Sequence, residues 1–212
     1  MKRLFLTSSV SFVAKDIPRW LDKPANKYKL VFITTASEVE EGDLWWQRDD
    51  RKALVDAGFK VFDYTLTGKK EKEVEEVMKK ADIIFVEGGN TFYLLEKIKE
   101  CGFDKVAREE VLVKGKPYIG CSAGSWVAGP NIELSKRPDK DFREATLKSY
   151  DALRLVDLVI MPHWGSKYSK DLYLKHRLKI SYQEKYKIIL LNNYQYVRVV
   201  DEMYQIMEVE HL

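Results

Sequence analysis

A serine lies at the centre of residues 120–124, which read Gly-Cys-Ser-Ala-Gly. A strand-like run, residues 116–119, leads into this pentapeptide, and small residues follow it. A G-x-S-x-G pattern at such a junction is typical of a nucleophile elbow, a sharp turn from strand to helix that lifts a serine hydroxyl clear of its neighbours. Glycines suit the flanking positions because a side chain there would crowd the turn or the following helix. The pattern predicts Ser122 as a nucleophile, with a chance occurrence in an ordinary strand-turn-helix as the alternative.

A second candidate element, residues 87–92 (Glu-Gly-Gly-Asn-Thr-Phe), directly follows the apolar run 83–86. Paired glycines let a backbone N–H approach a ligand closely, as an oxyanion hole for acyl transfer requires. The alternative is a plain strand-to-helix turn in which Asn90 caps the helix. The two interpretations are compatible, so both are kept.

The third candidate is His163, which follows the apolar run 155–160. The other two histidines are less suitable, since His211 lies at the terminus and His176 stands between two basic residues on a predicted helix surface. A lone histidine is often structural. A histidine at a strand end near a nucleophile elbow is instead expected to act as the general base that takes the serine proton and returns it to the leaving amine.

Strands and helices alternate along the chain in a way that places these residues at one edge of a sheet. Apolar runs predict strands at residues 4–7, 29–34, 61–64, 83–86, 118–121, 155–161 and 188–191, and a terminal hairpin at 196–200 and 203–209. Helical patterns fall at 43–57, 71–80, 91–100, 105–114 and 170–186, with Gly58 and Gly102 at helix C-termini; residues 130–150 look like a surface excursion. This alternation favours an α/β fold with a parallel sheet covered on both faces, where sites form at the carboxyl ends of strands. Ser122 and His163 are expected to follow strands of that one sheet.

Composition narrows the classes of protein to consider. The chain has 212 residues, 45% hydrophobic and 33% charged, with a net charge of +3 that gives no indication of a nucleic-acid partner. No apolar run reaches membrane-spanning length, and Cys101 and Cys121 offer neither a disulfide framework nor metal-ligand spacing. We therefore expect a single domain over residues 1–212 in the cytoplasm, without a membrane or nucleic-acid partner.

Taken together, residues 87–92, 118–124 and 162–163 resemble the α-aspartyl dipeptidases (peptidase E, the S51 serine peptidases) in order and nearly in spacing, over essentially the whole chain. The resemblance implies a flavodoxin-like three-layer αβα sandwich with a mostly parallel central sheet, related to class I glutamine amidotransferases. It implies hydrolysis of short peptides by Ser122 and His163 without metal or organic cofactor. The N–H groups of Gly89 and Ala123 would form the oxyanion hole.

One departure from the family pattern concerns the third triad residue. Alignment of residues 189–197 on the last strand junction of the family puts Asn193 where an acidic residue is expected. An amide oxygen can hold the imidazole but gives no charge to stabilise imidazolium. Asp157, Asp201 and Glu202 are alternative carboxylates that the pattern does not place well. A catalytically degenerate homologue that binds a small peptide or amino-acid derivative without turnover is therefore the second hypothesis.

A second departure concerns substrate recognition. The family has two arginines on the helix after the histidine, and the alignment matches only the second, Arg177, while Leu174 replaces the first. A guanidinium binds a carboxylate bidentately and leucine cannot, so a preference for N-terminal aspartate is not simply inherited. Asn90 and Arg177 remain the predicted substrate-binding residues.

Two further alternatives have less support. Cys121 is a rival nucleophile, because class I amidotransferases use cysteine at their elbow, but it precedes the elbow position and ends a strand, which favours a buried core residue. A nucleotide or flavin site is disfavoured because residues 7–11, after the first strand, contain no glycine.

Overall fold

A seven-stranded sheet forms the centre of the computed structural model, which describes residues 1–136, 147–182 and 186–210. Its strands are β1 (Arg3–Thr7), β2 (Lys29–Ile33), β3 (Lys60–Tyr64), β4 (Ile83–Val86), β5 (Tyr118–Cys121), β8 (Gln195–Val200) and β9 (Met203–Glu208), in the order β3-β2-β4-β5-β1-β8-β9. The first five in that order are parallel, whereas β8 is antiparallel to β1 and β9 to β8. The mostly parallel α/β sheet with a hairpin at its edge is thus confirmed.

The central strands are buried on both faces, which explains their nearly continuous apolar sequences. All four residues of β4 are inaccessible to solvent, and Ile119 of β5 pairs in register with Phe5 of β1 and Phe85 of β4. Alternate side chains enter two separate cores, one on each side of the sheet. Because β4, β5 and β1 are adjacent and parallel, their carboxyl ends lie side by side.

The helices cover the sheet and fall close to their predicted positions. They are α1 (Val10–Val13), α2 (Trp45–Asp56), α3 (Glu71–Lys80), α4 (Thr91–Glu100), α5 (Phe103–Arg108), α6 (Ala123–Ala128), α7 (Lys170–Leu172) and α8 (Leu178–Ser181), with π-helical segments Glu109–Val113 after α5 and Tyr173–Arg177 between α7 and α8. Gly58 and Gly102 follow α2 and α4 with φ of 101° and 75°, a left-handed conformation that suits glycine at a helix end. No helix in the described part of the chain has the length and apolarity needed to cross a membrane.

A separate pair of parallel strands, β6 (Leu158–Met161) and β7 (Lys187–Leu190), corrects one expectation from the sequence. His163 follows β6, which we expected in the same sheet as β5. The edge of β1 that faces away from β5 is instead paired with β8. The β6 strand packs against the end of α6, where a Cβ on Gly129 would lie 2.6 Å from the Leu158 carbonyl oxygen.

The predicted surface excursion over residues 130–150 is only partly supported. Ile132 and Leu134 are buried in the hydrophobic core that also contains Trp126 and Val127 of α6. Residues 137–146 lie outside the described residues, as do residues 183–185 of the predicted helix 170–186, of which the described part ends at Ser181.

Candidate active site

Ser122 lies at a strained turn between β5 and α6, with φ 46° and ψ −103°. Positive φ is unusual for a residue with a side chain and marks stored backbone strain. The turn depends on both flanking glycines, since a Cβ on Gly120 would lie 2.7 Å from the Gly124 carbonyl carbon and a Cβ on Gly124 would lie 2.0 Å from the Val86 oxygen. This is the geometry expected of a nucleophile elbow.

The imidazole of His163 lies directly beside the Ser122 hydroxyl. Its Nε2 is 3.0 Å from Ser122 Oγ, and its Nδ1 is 3.0 Å from Asn193 Oδ1. An amide oxygen only accepts hydrogen bonds, so the Asn193 contact favours the tautomer with hydrogen on Nδ1. The Nε2 lone pair is then free to accept the serine proton. The structure thus brings together the three residues predicted for catalysis.

The alternative carboxylates lie elsewhere. Asp157 is exposed and precedes β6, at the opposite end of that strand from His163. Asp201 accepts a hydrogen bond from the Lys2 backbone N–H at 2.8 Å, and Glu202 forms an ion pair with the Lys2 side chain. None of the three contacts the imidazole, so Asn193 is the residue in the position of the triad acid.

Ser8 is a site residue that sequence reasoning missed. It follows β1, is fully buried, and its Oγ accepts the His163 backbone N–H at 2.7 Å while donating to Asn193 Oδ1 at 2.8 Å. The hydroxyl of Tyr168 approaches Nδ1 of His163 at 3.2 Å from the exposed side. The sequence signal for this role is the position of Ser8 just past the end of β1.

The environment of His163 lowers its pKa below the usual value of 6.5. Burial is the largest cause, and the positive charge of Arg177 acts in the same direction. The hydrogen bond to Asn193 opposes both effects without cancelling them. The imidazole is therefore neutral near pH 7, as a general base must be before reaction.

The Gly88-Gly89 turn faces the elbow. A Cβ on Gly88 would lie 3.2 Å from Ser122 Cβ, and one on Gly89, whose φ is 125°, would lie 2.3 Å from the Ala36 carbonyl oxygen. Among the backbone hydrogen bonds of the described residues, none uses Gly89 N–H or Ala123 N–H as its donor. Both groups suit an oxyanion, and that role stays a prediction.

Asn90 serves the helix that follows this turn. Its Oδ1 accepts the N–H groups of Phe92 and Tyr93 at 3.1 and 3.0 Å, so it is the N-cap of α4. The capping alternative is therefore present, and Asn90 also lines the cavity beside Ser122. A role in substrate binding stays a prediction.

Cys121 is buried beneath the elbow, where its thiol lies 3.2 Å from Asp50 Oδ2. Burial and the nearby carboxyl groups of Asp50 and Glu87 raise the pKa of Cys121 well above its usual value. Since the thiolate is the nucleophilic form, this environment makes Cys121 unreactive. The rival nucleophile is therefore disfavoured on both access and protonation.

A cavity of about 580 Å³ opens beside Ser122 and His163. On one side lies Arg177, buried, with Nη2 donating to the Ser135 carbonyl at 3.0 Å and the guanidinium over the Trp126 ring. The remaining charged or aromatic lining includes Glu40, Trp45, Trp46, Asp49 and Tyr168. Leu174, which aligns with an arginine of the family, is half exposed. Among the described residues that line the cavity, the nearby leucine is Leu172 and not Leu174.

The parallel sheet and the serine elbow define an α/β protein with a hydrolase-type site. The family model for peptidase family S51 matches residues 4–207, and the chain belongs to that family. An uncharacterized peptidase of Listeria monocytogenes is 35% identical over 197 residues, which are 92% of this chain and 93% of that protein. A peptidase E of Shewanella sp. strain MR-4 is 32% identical over 168 residues, 77% of this chain and 66% of its own.

A crystal structure provides a similar match for the fold. It is of an L. monocytogenes protein provisionally assigned as a peptidase E, and it superposes with a TM-score of 0.88 at 32% identity, covering 99% of this chain and 100% of that one. These matches confirm the resemblance inferred from residues 87–92, 118–124 and 162–163. The chain is a peptidase of the peptidase E type.

Proposed function

We propose that this protein is a serine peptidase that hydrolyses short peptides through an acyl-enzyme, with Ser122 as nucleophile and His163 as general base. The observation that carries the proposal is the 3.0 Å contact between Ser122 Oγ and His163 Nε2, with Nδ1 held by Asn193. Nucleophile, base and orienting acceptor then stand in the order that a catalytic triad requires.

Each step follows from this arrangement. Ser122 Oγ attacks the peptide carbonyl carbon while its proton moves to His163 Nε2. The N–H groups of Gly89 and Ala123 bind the resulting oxyanion, and neither has another partner to give up among the described residues. His163 then donates the proton to the leaving amine as the peptide C–N bond breaks. Water attacks the acyl-enzyme while passing a proton to His163 Nε2, and His163 returns that proton to Ser122 Oγ as the ester bond breaks and the carboxylic acid is released.

The cavity supports a short peptide as the substrate. Its volume is in the range of small-molecule sites, too small for a folded chain. The Arg177 guanidinium provides positive charge for a carboxylate, either a C-terminal one or an aspartyl side chain, and Asp49 and Glu40 provide negative charge for a peptide ammonium group. Dipeptides with N-terminal aspartate are one class that meets these requirements.

A second function is favoured by one observation, the amide at position 193. In serine proteases, replacement of the triad acid by an amide lowers kcat by about 10⁴-fold, or ~5 kcal/mol at the barrier. A site of this kind could bind a peptide or amino-acid derivative and release it unchanged. Single-turnover measurements separate the two functions, because a binder forms no acyl-enzyme.

Labelling with a fluorophosphonate tests the proposal. We expect intact-mass analysis to show one adduct and peptide mapping to place it on Ser122. Ser122→Ala should abolish labelling, whereas Cys121→Ala, the matched control at the adjacent position, should retain it. An adduct on Cys121, or undiminished labelling of Ser122→Ala, contradicts the assignment.

A further inference from the structure

Two buried carboxyl groups, Glu87 and Asp50, meet beneath the active site and have no part in the mechanism above. Glu87 is fully inaccessible to solvent and Asp50 is 3% exposed. One oxygen of each and the Cys121 sulfur lie within 4.8 Å of one another. Within the described residues, neither carboxyl forms an ion pair with lysine, arginine or histidine. Two ionised carboxylates at this separation in a buried site would repel each other strongly.

The hydrogen bonds indicate which carboxyl carries the charge. Asp50 accepts the Ser11 backbone N–H on Oδ1 at 2.8 Å and the Cys121 thiol on Oδ2 at 3.2 Å, as suits a carboxylate. Glu87 accepts the Gly88 N–H on Oε1 at 2.6 Å, while no donor from the described residues reaches its Oε2. A buried carboxylate oxygen without a donor is costly, whereas a protonated one is itself a donor.

We propose that Glu87 is a neutral carboxylic acid that donates its hydrogen to the Asp50 carboxylate, and that this pair positions the Gly88-Gly89 turn against the elbow. Asp50, in α2, accepts hydrogen bonds from Ser11 of α1 and from Cys121 at the end of β5. Glu87 accepts the Gly88 N–H, so a Glu87–Asp50 hydrogen bond would connect these elements to the turn. The protonation of Glu87 is argued from its burial and hydrogen bonds, independently of any reaction; the effect on turnover rests on the proposed function.

Burial and the neighbouring charge of Asp50 both raise the pKa of Glu87 well above its usual value, and burial also raises that of Asp50. The titratable groups lining the same cavity are Glu40, Asp49, Cys121, His163, Tyr168 and Arg177. Of these, Cys121 is the one that contacts the pair, and its thiol stays protonated. Raising the pH therefore ionises Glu87 beside Asp50 and weakens the support of the turn.

Two substitutions of Glu87 test the role in positioning. Gln has the shape of a protonated Glu and can donate to Asp50 while accepting from Gly88, whereas Ala leaves both partners unsatisfied. We expect Glu87→Ala to lower kcat by ~10–100-fold with little change in KM, because a lost buried hydrogen bond weakens an oxyanion hole by about that factor. We expect Glu87→Gln to restore most of this loss and to remove the alkaline decline of kcat.

A readout that needs no turnover separates this inference from the proposed function. Thermal unfolding is measured from pH 5 to 9 (about the range where His and perturbed acids titrate) for wild type, Glu87→Gln and the control Glu110→Gln. Because the folded pKa of Glu87 is raised, the native state binds the extra proton, so wild type should lose stability relative to Glu87→Gln as pH rises.

Glu110 provides a control of opposite sign. It is also buried, but its hydrogen bonds and ion pairs with Lys114 and Lys116 outweigh the effect of burial and lower its pKa. Its stabilisation is present above the unfolded pKa and is lost as pH falls, so Glu110→Gln should show no relative gain at alkaline pH. Its peptidase activity should match that of wild type.

Three results would overturn the inference. In the first, Glu87→Gln is as inactive as Glu87→Ala although both unfold cooperatively. In the second, Glu87→Gln keeps the alkaline stability loss of wild type. In the third, purified protein holds stoichiometric Zn²⁺ that Glu87→Gln loses, which would make the cluster a metal site. If wild type hydrolyses no peptide but the stability difference follows the expected pH dependence, the protonated pair stands and the proposed function falls.

Discussion

The Oδ1 atom of Asn193 lies 3.0 Å from Nδ1 of His163 and also accepts the Ser8 hydroxyl at 2.8 Å. Two donors converge on a single uncharged oxygen. That oxygen fixes the tautomer and orientation of the imidazole, but it cannot compensate the positive charge that forms when His163 takes the serine proton. Orientation and charge stabilisation, which an acidic residue supplies together, are therefore separated at this site.

Restoring a charge at position 193 should raise turnover. Asn193→Asp is isosteric and keeps both hydrogen bonds, so we expect an increase in kcat of at least ~10-fold and up to ~10⁴-fold on a short peptide, the range seen when a triad acid is exchanged for its amide. Steady-state kinetics on N-terminal aspartyl dipeptides measure it, with Asn193→Glu as the longer alternative. If wild type already has a higher kcat than both variants, the missing charge does not limit turnover.

Ser8 should act as a positioning residue for both His163 and Asn193. Ser8→Ala removes the acceptor of the His163 backbone N–H and one donor to Asn193, so we expect kcat to fall by ~10-fold, as for the loss of one buried hydrogen bond. Ser9→Ala, at the adjacent residue, whose hydroxyl contacts Ser11 instead, is the matched control. If Ser8→Thr keeps the activity that Ser8→Ala loses, the hydroxyl and not side-chain packing is responsible for the effect.

The pH dependence of kcat/KM should report His163. Because its pKa is lowered, the acidic decline should fall below the ordinary value of ~6.5, and activity should be near its plateau at neutral pH. Asn193→Asp should move that decline to higher pH, since a carboxylate stabilises imidazolium. A decline in wild type above pH ~6.5 would mean that another group controls the reaction.

Sequence patterns predicted the main residues of the candidate site, but they could not predict the residues that hold those in place. The G-x-S-x-G turn, the double glycine and His163 are local signals whose residues lie at strand ends, and short apolar runs place strands within about three residues. Ser8 carries only the weak signal of its position after a strand, and Asp50 lies within a helix, so the role of each becomes visible only from tertiary contacts. The separation of β6 and β7 from the main sheet was missed for the same reason, since it depends on β8 occupying the edge of β1.

Substitution of Gly89 tests the oxyanion turn, because a control can separate the effect of a steric clash from the effect of positive φ. Its φ of 125° and a Cβ position 2.3 Å from the Ala36 carbonyl oxygen mean that a side chain must displace the turn. We expect Gly89→Ala to cost more than the ~1 kcal/mol that positive φ typically costs a residue with a side chain, and to lower kcat by ~10²-fold as the N–H moves from the oxyanion.

Gly68→Ala is the matched control for this test, since Gly68 has φ of 72° but open space around its Cβ position. It should lose only the conformational part of the stability, with kcat unchanged. Chemical denaturation gives the free energy of unfolding of each variant, and the rate of fluorophosphonate labelling of Ser122 reports the oxyanion site without a peptide substrate. If Gly89→Ala labels as fast as Gly68→Ala while unfolding more easily, then the Gly89 N–H supports the fold and not the oxyanion.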